Sequence, residues 1–510
     1  MDVFAYSAYS LLLYGLLRFL EVKLYMHDHA EPPIVRSRIP FLGHLLGLIR
    51  FGVSYYRILR EHNDLPILTV LLASQKVYVV NSPTLVSQIY RRPKIIDSNP
   101  PFLTMIFKKL FAFCDDDLQL LSHGSLRQDT KVTEHSMLER GMASMNDIYR
   151  DIMSSAAGRL ESLAVEGPET IHLQDWLQTI LPLSTADGIF GTNNPLTRSP
   201  TFLDRFWQFD RGLKGLTMSP FPSLTSPGPT EARRSLVLAF KDLVQRYENA
   251  SSDILLCDLL RQTASLARRH GRDTEYIARY FFAVYVAFVI NTVPVAFWTI
   301  AHILQRPELL TTVGNEVSKV IALNPTAHSG SGELEPPRVV LDAAMVREHC
   351  PTLRLTLEEV LRYVSSSIST MVVNEDILIN NEYLLKKGAL VQIAATAIHT
   401  DPNIWGQNAA VFDVNRPLQN KDKQIHPSAY RTFGGGSTLC PGRHLACDEI
   451  LAFTAMFIYT FDSQVIGGLP PRDTTDMLSV MKPAGDMDLH MGYMGLDFPW
   501  QVLNKRGLGR

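Results

Sequence analysis

The sequence predicts a mainly α chain with minor β, preceded by an N-terminal membrane-anchor helix. Three observations carry that expectation. Residues 276–305 form the longest helical pattern and are apolar nearly all round, as in a helix buried through a core. Only short runs, 372–379 and 385–397, read as strands. At the N-terminus, residues 3–17 are mostly apolar and carry no charge.

Composition bounds the rest. Of 510 residues, 46% are hydrophobic and 20% charged, which excludes a disordered chain. The net charge is −2, from 49 basic and 51 acidic residues, so the basic excess of a nucleic-acid binder is missing. A mean hydropathy of +0.02 is too low for a multi-span membrane protein. Cys114, Cys257, Cys350, Cys440 and Cys447 are too sparse for a disulfide framework and fit a reducing compartment. No internal repeat or low-complexity tract divides the chain.

Taken in order, the elements read as follows. Fifteen charge-free residues span about 22 Å as a helix, short of a hydrocarbon core of about 30 Å. Arg18 and Lys23 extend the span if they snorkel toward headgroups. Asp2 and the lack of a small-x-small site disfavour a cleaved signal peptide. An amphipathic surface helix or a buried first helix are the alternatives. The expected layout is an anchor over 1–25, a polar and proline hinge over 26–38, and one large domain over 39–510. Residues 219–229 and 324–337 read as surface loops, because the informative motifs fall on both sides of them. Pro294 should kink the long helix near Ile290 and Asn291, since one backbone N–H is missing there. Residues 352–364 read as another helix.

The most informative segment is 433–446, a glycine loop running into a helix. The pattern puts Cys440 at the N-cap and Pro441 at the first helical position. A thiol there meets unpaired backbone N–H groups and the positive end of a helix dipole, which favours the thiolate. The glycines let the backbone pass close to a large flat ligand. A lone cysteine before a helix is usually inert, but the spacing changes that. Phe433, Gly436, Cys440 and Gly442 match the Phe-x-x-Gly-x-x-x-Cys-x-Gly signature, and the chain thereby resembles the cytochrome P450 family. Upstream, Glu359 and Arg362 resemble the family's Glu-x-x-Arg pair. Arg416, in the stretch 412–416, resembles the arginine that completes its buried triad.

The resemblance implies a cytochrome P450 fold holding haem b, with Cys440 as the axial iron ligand and Phe433 and Gly436 shaping its loop. His123 and Arg127 resemble a helix pair that reaches a haem propionate, with His in place of Trp. Thr438 stands where most members carry a propionate-binding arginine, so one charge partner is missing or supplied elsewhere. Asn291 falls where the oxygen-handling threonine usually sits, with Thr292 one residue off and Ile290 in place of the usual acid. Residues 291–298 look like the branch with cholesterol 7α-hydroxylase, sterol 12α-hydroxylase and prostacyclin synthase. That branch holds hydroxylases and an isomerase. The implied activity is a haem-thiolate monooxygenase oxidising a lipophilic small molecule with O2 and NADPH-derived electrons. The alternative is an isomerase or dehydratase of a peroxide that needs neither, and an idle haem or lipid-binding fold is a third reading.

A sterol, terpenoid or polyketide-like substrate is expected, which also suits secondary metabolism. The expected pocket residues are Phe281, Phe282, Val286, Ala287 and Ile290, a roof over 101–113 with Phe102, Met105, Ile106 and Phe107, and Val372, Val373, Val480 and Met481. The implied partner is NADPH-cytochrome P450 reductase, met by Arg127, Lys131, Lys421, Lys423 and Arg443. The implied location is the endoplasmic reticulum membrane, with the haem domain facing the cytosol.

Overall fold

Pro294 has no N–H to give the carbonyl of Ile290, so the longest apolar stretch cannot run as one regular helix. The computed structural model describes residues 12–21, 23, 27–72, 75–98, 103–123, 125–164, 169–249, 254–324, 338–419, 425–475, 479–494 and 499–503. In it the stretch is two helices, Thr274–Val289 and Thr292–Leu304, with Ile290 and Asn291 in the turn between them. Asp273 starts the first by accepting the Tyr276 N–H at 2.8 Å. Every residue of the second is buried. Residues 274–304 are long and apolar enough to cross a membrane, but they form a core helix pair with 72% of the most apolar window buried.

The helices Leu173–Phe190, Phe202–Arg211 and Pro227–Glu248 close on the first half through aromatic edges. Ring centroids lie 5.1 Å from that of Tyr285 for Phe206, and 6.0 Å for both Phe190 and Phe240. The second half is held on its far side, where Trp298 Nε1 donates to the Met481 carbonyl at 2.9 Å.

A five-stranded sheet stands beside the helices, in the order Ile67–Leu72, Gln75–Val80, Leu390–Ala394, Ile368–Val373, Ile96–Asp97. Its first strand is buried for five of its six residues, because both faces are covered. The expected strand 372–379 is in fact two, Ile368–Val373 and Ile377–Ile379, separated by the polar Asn374, Glu375 and Asp376. Of the expected strand 385–397, Leu385 ends the short strand Tyr383–Leu385, a turn follows, and Leu390–Ala394 is a strand that passes into the helix Ala395–His399. The proline-rich 219–229 is not a plain loop. Pro222 and Pro227 each open a helix, the position where a missing N–H costs nothing. Residues 325–337 of the other expected loop lie outside the described residues.

The anchor helix expected at the N-terminus is not supported by the described residues. Residues 1–11 lie outside the described residues, and only 12–21 are described as a continuous helix. That helix lies on the domain rather than apart from it. Arg18 pairs with Glu21 at 2.6 Å and donates to the carbonyls of Ser37 and Arg38, so it does not snorkel. Glu21 in turn accepts the Phe41 N–H at 2.7 Å. The opposite side, with Leu12, Leu13, Leu16 and Leu20, is exposed, as are Leu42, Leu46 and Ile49 nearby in sequence. Within the expected hinge, residues 31–33 bond to the neighbouring strands. Thr69 donates to the carbonyls of Pro32 and Pro33, and buried Glu31 takes Lys76 at 2.7 Å and the Tyr78 hydroxyl at 2.6 Å.

One buried network joins the helix Pro351–Val364 to the polypeptide that leads to Cys440. Glu359 accepts Arg362 Nε and Nη2 at 2.8 and 2.7 Å, Arg416 Nε at 3.0 Å and the Asp413 N–H at 3.0 Å. The remaining guanidinium donors reach the carbonyls of His399, Trp405, Asn408, Ala409 and Val411. Glu359→Gln leaves two buried cations facing an amide. The expected loss is about 3–5 kcal/mol of unfolding free energy, read from denaturant midpoints; an unchanged midpoint would show the network to be dispensable.

A second carboxyl lacks such partners. Glu449, on the helix Arg443–Thr460, is buried and its Oε1 has no hydrogen bond, and burial pushes its carboxyl from 4.5 up to about 8. Between those values the folded protein keeps a proton that the unfolded chain has released, so stability falls as pH rises through the window. Glu449→Gln is expected to remove that slope and to be the more stable form above it. Denaturation curves of both proteins across the window measure this, and equal slopes would refute it.

Candidate active site

Gly434 and Gly436 shape the loop before Cys440. Both have positive φ, 76° and 57°, where a side chain is disfavoured. A Cβ on Gly436 would also lie 2.4 Å from the ring of Tyr90. The loop closes where the Cys440 N–H donates to the Phe433 carbonyl at 3.0 Å. Cys440 is not at the helix N-cap, contrary to the sequence pattern. The helix is Arg443–Thr460 and Gly442 precedes it as the cap, so Cys440 sits two residues earlier. Its own N–H is spent on the loop, and Gly442 starts the helix by accepting from Ala446.

The expected depression of the thiol is also not what this environment gives. Burial is the largest influence and pushes Cys440 up, against the backbone N–H groups of Gly442 and Arg443 and the Arg443 charge, which pull it down. A thiolate here therefore needs a further positive centre close to the sulfur. Arg443 Nη1 donates to the Cys440 carbonyl at 3.1 Å and stays beside the loop.

The broken helix supplies an accessible strip in an otherwise closed wall. Ala287 is exposed and Ala283 and Asn291 half-buried, four residues apart each, while Val284, Val286, Val289 and Ile290 are buried. Two turns before Ala287 on the same face, the Tyr280 hydroxyl donates to Glu134 at 2.5 Å. That carboxylate is near enough to Cys440 to raise its thiol. Glu134 thus lies between Tyr280, on the helix that carries the strip, and the cysteine loop.

This geometry sorts the other expected residues. Asn291 is on the accessible strip. Thr292 is buried and its hydroxyl donates to the Phe288 carbonyl at 2.7 Å, so that proton is committed to the helix. Phe281 and Phe282 are wholly buried in the aromatic core, where Phe282 meets Phe209 at 5.0 Å. They do not line the strip, and the small side chains do. Val286, Ile290, Val373, Val480 and Met481 are buried, and Val372 is half-buried. In the roof, Leu103–Leu110 is a π-helix with Met105 exposed, Ile106 half-buried and Phe107 buried, while Phe102 lies outside the described residues.

The expected cations are scattered. Arg127 is turned inward over the Phe107 ring at 5.7 Å, and burial lowers it. Lys131 donates to the Ser437 carbonyl. His123 ends the helix Asp115–His123, its side chain outside the described residues, as are Lys421 and Lys423. Of the five basic residues expected to form a surface patch, Arg127 is directed inward, and the two at 421 and 423 lie outside the described residues. Thr438 donates to the Gly435 carbonyl at 3.0 Å. Sequence reading missed Tyr90, whose ring bars side chains from the glycine loop, and Arg431, a charged residue just before Phe433 that is wholly buried. A charge inside an apolar motif was the available signal for the second.

Among the described residues, no three His, Cys, Asp or Glu side chains cluster as metal ligands. A metal at Cys440 would have to bring its other ligands with it. A half-buried cysteine on a glycine loop closed to side chains fits a flat, apolar metal complex such as haem b.

The comparisons with known proteins agree. A family model described as Cytochrome P450 matches residues 32–490. The chain is 27% identical over 471 residues to "Cytochrome P450 monooxygenase nodJ" of Hypoxylon pulicicidum, covering 90% of this chain and 89% of that one. It is 25% identical over 474 residues to a "Cytochrome P450 monooxygenase" of Gibberella zeae, covering 89% and 87%. It is 24% identical over 460 residues to a "24-hydroxycholesterol 7-alpha-hydroxylase" of Mus musculus, covering 89% and 91%.

Gly436→Ala tests the loop. With φ at 57° and Tyr90 in the way, it should cost about 1–2 kcal/mol and lower bound haem per protein, read from the ratio of Soret to protein absorbance. Full haem content and an unchanged melting temperature would disprove the crowding.

Proposed function

The chain belongs to the cytochrome P450 family and is a haem b monooxygenase, and from that premise we propose that it hydroxylates or otherwise oxidises a lipophilic small molecule, of sterol, terpenoid or polyketide-like shape, with O2 and electrons from NADPH-cytochrome P450 reductase. The observation that carries the reading is Cys440, half-buried on a glycine loop that excludes side chains; the accessible residues Ala283, Ala287 and Asn291 of the broken helix are assigned to the same site. Cys440 is the iron ligand, with Phe433 and Gly436 holding its loop. Arg127 and His123 are assigned to the propionate side, and Glu359, Arg362 and Arg416 to the scaffold. When bound, the haem supplies the iron at which dioxygen is activated.

The chain's own residues supply the rest. Ala283 and Ala287 leave room for a flat ligand. Asn291 offers an amide donor and acceptor at the strip, and having no ionisable proton it positions water rather than acting as the proton source. Thr292 keeps the helix turn closed through Phe288. A relative named as a sterol hydroxylase supports the substrate class, and the names of the three relatives support oxygen insertion over rearrangement. The exposed apolar side of residues 12–21, with Leu42, Leu46 and Ile49, supports contact with a membrane, for which we propose the cytosolic face of the endoplasmic reticulum.

Reduction under carbon monoxide should give the strongly red-shifted Soret band of a thiolate-bound iron, and Cys440→Ser should abolish it. With reductase, NADPH and labelled oxygen, the product should carry the label. Product formed without oxygen or NADPH would instead establish the peroxide isomerase. Asn291→Ala is expected to raise NADPH consumption relative to product, while Thr292→Val should leave that ratio near the parent's. The reverse ranking would assign the polar role to Thr292.

A further inference from the structure

Three arginines are wholly buried at the thiol side of the fold: Arg362, Arg416 and Arg431. The first two share Glu359. Arg431 has no such partner. Among the described residues it takes part in no ion pair. Its Nη2 donates to the Tyr90 hydroxyl at 2.5 Å and to Ser369 Oγ at 2.9 Å, and its Nε has no hydrogen bond at all. A guanidinium stays charged at any working pH, so burial without an anion is a standing penalty.

The position of Arg431 tells where an anion would come from. The Gly434 N–H donates to the Arg431 carbonyl at 3.2 Å, so the residue is the root of the cysteine loop. Tyr90, which takes its Nη2, has its ring against Gly435 and Gly436. Its backbone is fixed as well, with the Arg431 N–H given to His399 Nε2 at 2.9 Å. Haem b held by Cys440 would bring two carboxylates with it, and Thr438 could offer them only a hydroxyl that already donates to Gly435.

We propose that Arg431 is the internal counter-ion of a haem propionate, supplying the charge that is absent at Thr438. It is a positioning residue: it holds the cofactor against the cysteine loop and touches no substrate. The inference rests on haem b as the cofactor and is independent of the substrate and of the oxygenase reading. That Arg431 has no ion pair among the described residues then has a reason, since the partner arrives with the cofactor. Tyr90 and Ser369 serve to orient the fork toward it.

The test follows haem, not turnover. Purified ferric holoprotein is mixed with excess apomyoglobin, and the rate of haem transfer is compared for the parent, Arg431→Lys, Arg431→Met, and Arg431→Met combined with Thr438→Arg. Losing a charge-assisted contact should speed haem loss in Arg431→Met by about ten-fold to a hundred-fold. Arg431→Lys should stay near the parent, and Thr438→Arg should slow the loss again. Unfolding midpoints recorded alongside separate this from a general loss of stability. Parent-like haem loss in Arg431→Met would overturn the proposal. So would a faster loss that merely follows the midpoint and is not reversed by a cation at 438. If Arg431→Met does not fold, Arg431→Gln takes its place with the same expectations.

Discussion

The carboxylate of Glu359 is shared by two wholly buried guanidinium groups, and the thiol side of the molecule hangs from it. Neither arginine could be buried without that charge, and the carboxylate could not be buried without them. Their remaining donors take five backbone carbonyls between His399 and Val411. A stretch with little regular structure thereby acquires the rigidity that a sheet or helix would otherwise supply.

The constraint propagates one step further through His399. Its Nδ1 faces the Arg362 carbonyl at 3.0 Å and its Nε2 accepts the Arg431 N–H at 2.9 Å, which requires the neutral ring with the proton on Nδ1. Burial first, then Arg362 and Arg431, hold this imidazole down to about 3, so it stays neutral under any working condition. Glu359, Arg362, His399 and Arg431 thus form a continuous path to the cysteine loop. Cys440 is placed by a polar scaffold rather than by hydrophobic packing, which suits a loop whose open face must stay available to a flat ligand.

What could be read from the sequence follows from how local each signal is. The Phe433 to Gly442 spacing, the Glu359–Arg362 pair on one helix and the Pro294 break are set by a few neighbouring residues, and each has a structural counterpart in place. Facing directions were harder. Phe281 and Phe282 look like pocket residues only because they are large, and it is Ala283 and Ala287 that stay accessible. The first-strand residue Thr69 that pins Pro32 and Pro33 is remote in sequence from the prolines that suggested a hinge. The thiol failed differently: helix position argues for a thiolate, but the magnitude of burial cannot be read from a motif and it outweighs the nearby N–H groups.

Asn291 and Pro294 are best understood together. Losing the N–H at 294 frees the Ile290 carbonyl and puts Asn291 in a turn between two helices, half-buried beside the strip. A hydroxyl next to such a gap is drawn to a backbone acceptor, and Thr292 has taken the Phe288 carbonyl. Threonine at 291 would face the same competition. An amide is less easily diverted, because it has two donors and one acceptor and can serve the backbone and the cavity at once. The departure from an acid and alcohol pair is therefore coupled to the proline: once the helix is broken there, a side chain with several hydrogen-bonding groups is the one that can still hold water at the open face.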